Sequence, residues 1–441
     1  MGDKMKLKNA VIVDGVRSPF SQGGRGKFEA TRMDEVAATV VRTLVERNPK
    51  IKPHMIEDVG IGNSNGHRDL TMLGVINRLA GLPNETASFA SNRQCGSSME
   101  TAQRLAASIM IGATECAIAM GVERSGKALL QGILDGKGDG QTRVTRMNPQ
   151  AFVNNKMQRD MAPDHDLLFS VPIPEAILDA PPLLPMPQTA QNVVDMYGMT
   201  RKELDAFAVN SHRKTWAAYE SGIYKNEVIP MEVEDPVFDE NKEWVEEKRG
   251  PMVLFERDEC IRPNTSMETL AQLQPIKGLK SFCGNEVHVT AGNSCPTNCG
   301  ASALILMSEE MAIALGLEPL ARIIGMGVAG VKGQIMGMGP VPSTHRALKH
   351  AGISAEQIER VEFNEAFAAQ VIPSLKELGI SEAITNVNGG SLAIGHPIGA
   401  TGARLLLTLA FELRRSGKKY GLATQCMGSG MGISTILEAM D

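Results

Sequence analysis

Residues 386–402 read NVNGGSLAIGHPIGATG, a glycine-rich loop with one histidine, His396, that runs directly into a long amphipathic segment. Glycine occurs at this density where the backbone needs a positive φ or where another group must approach closely. The helix predicted to follow would present its free N-terminal amides to this loop. Alone, the segment fits a glycine-rich connector as well as a functional site, so the rest of the chain must decide.

A related pattern occurs earlier in the chain. Residues 353–367 (ISAEQIERVEFNEAF) repeat residues 51–63 (IKPHMIEDVGIGN) at a constant offset. Residues 401–426 likewise repeat the order of helix, glycine and buried strand that follows Cys95. We therefore predict an internal duplication in which the Cys95 loop and the His396 loop hold equivalent places, each at the start of a core helix. The matched pairs are Ile353/Ile51, Ile358/Ile56, Glu359/Glu57, Val361/Val59 and Phe363/Ile61.

Strands and helices alternate through the first part of the chain. Apolar runs predict strands at 10–16 and 115–121, and apolar residues at helical spacing predict a helix over 33–45. A second helix is predicted directly after Cys95, and it should end at Gly112. This alternation predicts an α/β fold with a largely parallel sheet covered on both faces.

The character of the sequence changes from about residue 125 to residue 293, where proline, glycine and charged residues accumulate. Residues 189–222 within this stretch are helical by spacing, with Thr200 as the N-cap ahead of Glu203. We predict an inserted loop domain at 125–293. The N-terminal half is then 1–124 plus 294–317, and the C-terminal half is 318–441.

Composition narrows the class of protein. The chain has 441 residues, 43% of them hydrophobic and 22% charged, with a formal charge of −5. These values predict a large globular protein and give no reason to expect nucleic acid as a partner. No apolar run approaches the ~20 residues that span a bilayer. Seven cysteines without a regular framework predict reduced thiols. A start that enters a strand within a few residues predicts a cytoplasmic protein, or one that has already been processed.

Four polar clusters lie at predicted loop ends: NRQC (92–95), NEAF (364–367), GHP (395–397) and QCMGSGMG (425–432). A helix N-terminus would lower the pKa of the Cys95 thiol and favour a nucleophile, although a small buried cysteine is the commoner case. One thiol can carry an acyl group, while another, with an ordinary pKa of about 8.5, moves a proton beside a thioester. Two thiols and a histidine therefore predict Claisen-type C–C chemistry.

In this order, from about Ala10 to Glu438, the clusters resemble those of the thiolases. The resemblance implies a thiolase fold, in which two duplicated α/β halves form a five-layered αβαβα core with an inserted loop domain. Further matching segments are RSPF (17–20), DECIRPNTSMETLAQLQP (258–275), VTAGNS (289–294) and GMGPVP (337–342).

The resemblance also implies roles for single residues. Cys95 would be the acylated nucleophile, His396 its base and Cys426 the general acid/base. Asn364 would hold a water that forms one oxyanion site with His396, and the amides of Cys95 and Gly428 would form the other. The implied reaction is ping-pong cleavage of 3-oxoacyl-CoA by CoA into acyl-CoA and acetyl-CoA. CoA is then a substrate, and no permanently bound cofactor is expected.

Some positions depart from the family pattern. Ser98 and Ser429 replace glycines and would be strained at positive φ. Ser294, Cys295 and Phe367 are the implied substrate contacts, and Cys295 is unusual in that loop, as is the nearby Cys299. A zinc site made of these two cysteines with Cys283 and His288 is disfavoured, because a CxxC pair is missing, and we expect no metal.

The long connection ahead of the helix at 189 is similar to that of the β subunit of the fatty-acid oxidation trifunctional complex. This implies a degradative enzyme with a possible hydratase/dehydrogenase partner subunit. The family resemblance implies that the chain forms a homodimer or a dimer of dimers. The walls of the acyl pocket would come mostly from residues 125–190. The alternatives are a biosynthetic acetoacetyl-CoA thiolase and a non-catalytic scaffold subunit; a ketosynthase is disfavoured because it uses two histidines and lacks a second catalytic thiol.

Overall fold

The computed structural model describes residues 7–64, 73–125 and 168–440. The strands in these ranges are β1 (Ala10–Arg17), β2 (Ser21–Gln22), β3 (Asp58–Gly62), β4 (Ala87–Ser91), β5 (Cys116–Glu123), β6 (Met231–Glu234), β7 (Met252–Phe255), β8 (Asn298–Ser308), β9 (Ala321–Gly330), β10 (Arg360–Phe363), β11 (Tyr420–Met427) and β12 (Met431–Ala439). The helices are α1 (Met33–Arg47), α2 (Leu73–Leu79), α3 (Ser97–Met110), α4 (Glu175–Leu178), α5 (Met186–Tyr197), α6 (Arg201–Glu220), α7 (Met267–Ala271), α8 (Glu309–Ala314), α9 (Pro340–Ala351), α10 (Ala368–Leu378), α11 (Ser391–Ile394) and α12 (Thr401–Ser416).

The main sheet is mixed, so the prediction of a largely parallel sheet was wrong. Its strand order is β10-β11-β12-β9-β1-β8-β5-β3-β4. Among the strands of the described residues, parallel pairing is confined to β3 with β4 and β5, and to β10 with β11. Strand β8 returns from the insertion and runs antiparallel between β1 and β5, while β12 follows β11 through a tight turn. The turn between β11 and β12 is too short for the crossover connection that a parallel neighbour requires.

Three separate apolar clusters confirm the five-layered core. Alternate residues of β1 face opposite sides: Val11 and Val13 pack towards α1, whereas Ala10 and Ile12 pack towards α3 and α12. A third cluster joins the outer face of the C-terminal strands to α9 and α10. Helices α3 and α12 therefore form a central layer between the sheets of the two halves, and those sheets meet edge to edge where β1 pairs with β9.

The two halves repeat each other as predicted. Strand β3 begins at Asp58 and β10 at Arg360, which is the spacing of the sequence repeat, and each pairs in parallel with the strand that follows a central helix. The two central helices approach closely, because a Cβ on Gly402 of α12 would clash with the backbone nitrogen of Met99 in α3. The Cys95 loop and the His396 loop thus lead into neighbouring helices.

The insertion contributes helices to the outer face of the C-terminal half. Helices α5 and α6 are separated at Gly198, whose φ is 62°. The predicted capping box is present, because the Thr200 side chain accepts from Glu203 N–H and the Glu203 carboxylate accepts from Thr200 N–H. Most of the predicted acyl-pocket wall lies outside the described residues. Among the residues that are described, no helix combines the length and apolarity needed to cross a bilayer.

A buried ion pair connects two of the segments that carry the family resemblance. The Arg17 guanidinium donates to both carboxylate oxygens of Asp258, at 2.8 and 2.9 Å, and both side chains are fully buried. The Tyr219 hydroxyl and the Phe20 N–H also donate to Asp258, each at 2.7 Å. The RSPF and DEC segments therefore stabilise the junction between β1 and the insertion.

Replacing Asp258 with alanine should lower the free energy of unfolding by about 3–5 kcal/mol, because the buried Arg17 would lose its two charged hydrogen bonds and keep only Glu227, at 3.9 Å, as a counter-charge. The matched control is Asp235→Ala, whose partner Lys27 is about one-third exposed, and here the loss should stay below about 1 kcal/mol. Denaturant titration at one protein concentration measures both losses. Equal losses in the two variants would contradict this account of Arg17.

Candidate active site

Cys95 lies between the end of β4 and the start of α3, directly after a residue with left-handed backbone, Gln94 (φ 51°). Two backbone N–H groups point at its sulfur, its own and that of Gly428. The end of β11 also contacts the Cys95 backbone, because Gln425 Nε2 donates to the Cys95 carbonyl at 2.9 Å. The two predicted oxyanion amides therefore converge on the thiol.

The pKa of the Cys95 thiol is raised to about 11, because burial outweighs the stabilisation of the thiolate by the Gly428 amide. This corrects the prediction of a lowered pKa from the helix N-terminus. The Cys95 side chain is partly buried against the central apolar cluster, and desolvation disfavours the charged form. The resting thiol is protonated, so a nearby acceptor must take its proton before it can attack.

His396 follows a glycine that the local packing requires. Gly395 has φ 110°, and a Cβ there would come within 2.5 Å of the Asn298 side chain. This close approach lets Asn298 Oδ1 accept from His396 N–H at 3.0 Å. Gly395 thus permits close packing directly beside His396.

The contacts of His396 define its tautomer. The Thr401 hydroxyl donates to the Pro397 carbonyl at 2.8 Å, so its oxygen is free to accept the Nδ1–H of His396 at 2.7 Å. The other ring nitrogen, Nε2, therefore carries a lone pair. Burial first, and the positive charge of Arg404 second, lower the pKa of His396 to about 3. The imidazole is neutral and can accept a proton at Nε2.

Asn364 directly follows β10 and faces this nitrogen, with its Nδ2 at 3.4 Å from Nε2 of His396. Its Oδ1 accepts from the Ser391 hydroxyl at 2.7 Å. The two residues that the family resemblance assigned to one oxyanion site are thus in contact.

Cys426 lies near the end of β11 and is fully buried. Its thiol donates to Gln370 Oε1 at 3.1 Å, while Gln370 Nε2 donates to the Asn364 carbonyl at 3.1 Å. Burial raises the pKa of Cys426 well above its ordinary value. Cys426 therefore rests as a protonated thiol, and Gln370 links it to the Asn364 backbone.

The three predicted substrate contacts lie together. Ser294 pairs with Phe367 in an antiparallel bridge, and Cys295 N–H donates to the Ala366 carbonyl at 2.9 Å. The Cys295 thiol is close enough to Cys95 and Cys426 to affect the pKa of Cys426. Cys299 is elsewhere: it is buried in β8 with its sulfur against the Ser125 carbonyl at 3.3 Å. Only one of the two unusual cysteines therefore belongs to the site.

The disfavoured zinc set is dispersed in a similar way. Cys283 is exposed, whereas Cys299 is buried in a strand of the sheet. Across residues 7–64, 73–125 and 168–440, no group of three or more His, Cys, Asp and Glu side chains is placed to hold a metal ion.

The two serines that replace glycines of the family pattern, Ser98 and Ser429, differ in backbone conformation. Ser98 is the second residue of α3, with an ordinary helical backbone, and its hydroxyl accepts from Ala403 N–H at 2.9 Å. Ser429, in the turn after Cys426, has φ 69°. The predicted strain is therefore absent at Ser98 and present at Ser429.

Replacing Ser429 with glycine should raise the free energy of unfolding by up to about 1 kcal/mol, since glycine adopts positive φ without a Cβ clash. The same change at Ser98 should lower it by about 1 kcal/mol, because that position is helical. Paired denaturation curves measure the two shifts, and shifts of the same sign would contradict the assignment of strain to Ser429.

Several residues of the site were not predicted from the sequence: Asn298, Gln370, Ser391, Thr401 and Arg404. Each is a polar residue that is almost fully buried. The available signal was a polar side chain within an apolar run, as for Arg404 in the segment ARLLL. That signal marks burial of a polar group but not its partner.

Comparisons with known proteins agree with this geometry. The family model described as "Thiolase, N-terminal domain" matches residues 10–310, and "Thiolase, C-terminal domain" matches residues 317–439. A 3-ketoacyl-CoA thiolase of Aliivibrio fischeri is 36% identical over 98% of this chain and 100% of its own length. A 3-oxoadipyl-CoA/3-oxo-5,6-dehydrosuberyl-CoA thiolase of Escherichia coli has the same identity and coverage.

Solved structures give the same result. The acetyl-CoA acetyltransferase of Bacillus anthracis superposes with a TM-score of 0.79 at 33% identity and covers 99% of this chain and 100% of that one. Human mitochondrial 3-ketoacyl-CoA thiolase superposes with a TM-score of 0.77 at 28% identity, covering 98% and 99%. The chain therefore belongs to the thiolase family.

Proposed function

We propose that this chain is a degradative thiolase that cleaves 3-oxoacyl-CoA with CoA, through an acyl group carried on Cys95. As a thiolase it is an acyltransferase, with CoA as substrate and no permanently bound cofactor. The observation that carries the proposal is a set of contacts: Cys426 is linked through Gln370 to Asn364, whose amide faces Nε2 of the neutral His396. Gln425, next to Cys426, also contacts the Cys95 carbonyl. One thiol accepts the acyl group, and the other moves protons.

The first half-reaction begins with transfer of the Cys95 proton to His396 Nε2. The thiolate attacks the ketone carbon of the substrate, and the oxyanion is held by the amides of Cys95 and Gly428. The C2–C3 bond then breaks, and its electron pair forms the enolate of acetyl-CoA. Protonated His396, with a water on Asn364, stabilises the enolate oxygen while Cys426 donates its proton to C2.

The second half-reaction restores both thiols. The proton of the incoming CoA passes to the Cys426 thiolate, and the sulfur of CoA attacks the acyl group on Cys95. The Cys95 thiolate leaves and recovers its proton from His396. Because acetyl-CoA departs before CoA reacts, the kinetics should be ping-pong, with parallel double-reciprocal lines.

A panel of 3-oxoacyl-CoA substrates with CoA as acceptor tests the proposal, from four carbons to long chains and including a dicarboxylic member. Turnover of chains longer than four carbons supports a degradative enzyme. A strong preference for the four-carbon substrate would instead favour the biosynthetic acetoacetyl-CoA thiolase, an activity related to the name of the B. anthracis structural neighbour. No turnover with any member would favour the scaffold alternative.

The finer assignments belong to the same proposal. Ser294, Cys295 and Phe367 contact the substrate, and the boundaries stay at 1–124 plus 294–317, 125–293 and 318–441. The protein is cytoplasmic and forms a homodimer or a dimer of dimers, with a hydratase/dehydrogenase subunit as a possible partner. Light scattering measures the assembly, and co-purification that yields only self-association would count against the partner.

A further inference from the structure

A chain of buried hydrogen bonds leads from Arg404 to the candidate oxyanion site. Arg404, on α12, is fully buried and donates through Nη1 to Glu362 at 2.8 Å and through Nη2 to the Ser391 oxygen at 2.9 Å. Ser391 donates to Asn364 Oδ1 at 2.7 Å, and Asn364 Nδ2 faces His396 Nε2 at 3.4 Å. All of these side chains except His396 are almost completely inaccessible to solvent, and His396 is 5% exposed.

The direction of every hydrogen bond in this chain follows from its first member. Arginine has donors only, so the Ser391 oxygen must accept from Arg404, and the single Ser391 proton is left for Asn364. Asn364 must then present its oxygen to Ser391 and its NH₂ group to His396. If the Asn364 amide were flipped, its NH₂ group would face Ser391 in place of its oxygen. The Ser391 proton would then lose its acceptor, and an unsatisfied donor is costly at a buried site.

We infer that Ser391, held by Arg404, is a positioning residue that fixes the orientation of the Asn364 amide. This inference rests on the proposed function, in which Asn364 and His396 stabilise the enolate oxygen. With the amide fixed, the NH₂ group is aligned before the substrate arrives, and no reorganisation is needed as charge develops. Without Ser391, the amide can rotate and present its oxygen to the developing negative charge.

In the proposed mechanism the two oxyanion sites serve different steps, so damage to one site can be distinguished from damage to the other by measuring two reactions. Exchange of labelled CoA into acyl-CoA uses Cys95 and the amides of Cys95 and Gly428, without breaking a C–C bond. Thiolysis of 3-oxoacyl-CoA also needs the enolate site at Asn364. Loss of a positioning residue for Asn364 should therefore reduce thiolysis and leave exchange nearly unchanged.

Ser391→Ala should reduce kcat for thiolysis about ten- to hundredfold, in line with the cost of a small misplacement of a catalytic group. CoA exchange should stay within about threefold of the unmodified protein, which also shows that the variant is folded. Ser391→Thr keeps the hydroxyl and should recover most of the thiolysis. The matched control is Ser374→Ala, a fully buried serine whose hydroxyl lies 3.8 Å from the Met338 sulfur, and both activities should be retained.

A double-mutant cycle with Asn364→Ala gives a second readout. If Ser391 acts only through Asn364, Ser391→Ala should add no further loss of thiolysis in the Asn364→Ala background. Equal loss of exchange and thiolysis in Ser391→Ala, unchanged thiolysis, or full additivity in the cycle would overturn the inference. Absence of both activities in the unmodified protein would instead refute the proposed function.

Discussion

Replacing Cys95 with serine should reduce acyl transfer by at least about 10³-fold, while the fold is retained. The hydroxyl of serine is a far weaker acid than a thiol, so transfer of its proton to His396 is much less favourable. The contact that Gln425 makes with this residue is to its backbone carbonyl, so it survives the substitution. Product formation and the acyl adduct on the protein, followed by mass spectrometry, measure the effect.

The matched control for this change is Cys283→Ser, which replaces an exposed thiol outside the site. It should keep full activity and the adduct on Cys95. Cys295→Ser is a stricter comparison, because this thiol lies close to Cys95 and Cys426. Cys95 would not be the nucleophile if Cys95→Ser retained turnover, or if the acyl adduct were found on Cys295 and disappeared in Cys295→Ser.

The layered core was implied by the resemblance to the thiolases, whereas the internal repeat was sufficient to place the two loops at equivalent positions. The spacing between 51–63 and 353–367 predicted equivalent strands, and β3 and β10 begin at matching positions. Such patterns depend on the alternation of apolar residues, which is local in the chain. The direction of a strand is not a local property, because it depends on how distant segments connect. Strand β8 follows the insertion and runs antiparallel to its neighbours, and this is why a parallel sheet was wrongly predicted.

The pKa of Cys95 shows a second limit. The sequence reveals that this thiol precedes a helix, and a helix N-terminus favours a thiolate. It does not reveal that α3 lies in the central layer, between the sheets of both halves. Burial there has the opposite effect and is larger. The same limit applies to Ser98 and Ser429, because whether a serine is strained depends on where the adjacent helix or turn begins.

The hydrogen-bond partners in the site were beyond prediction for a related reason. Arg404 and Ser391 are 13 positions apart in the chain, and Asn364 is 27 positions from Ser391. Polar residues in an apolar run indicate a buried network, but any of several polar groups can be the partner. The fold selects the partner by bringing the end of β10 against α11 and α12.

Replacing Cys426 with alanine should reduce C–C cleavage by about 10²–10⁴-fold, the usual contribution of a general acid or base. The thiol is the donor that faces Gln370, and no other proton donor is assigned to C2 of the substrate. Acylation of Cys95 from acyl-CoA is the reverse of the attack by CoA, so both should be slower in this variant, with the CoA thiolate taking its proton from solvent as it leaves. An excess of acyl-CoA should therefore still acylate Cys95 slowly, and the acyl group should then persist because its return to CoA is slowed as well.

Two measurements separate this role from simple loss of structure. Mass spectrometry of the variant with acyl-CoA should show a stoichiometric adduct on Cys95, which requires a folded site. In deuterated solvent, the unmodified protein should exchange the methyl protons of acetyl-CoA, and Cys426→Ala should not. Cys283→Ala is the control, since it removes an exposed thiol outside the site, and it should keep the exchange. Normal methyl exchange in Cys426→Ala would assign the general acid/base to another residue.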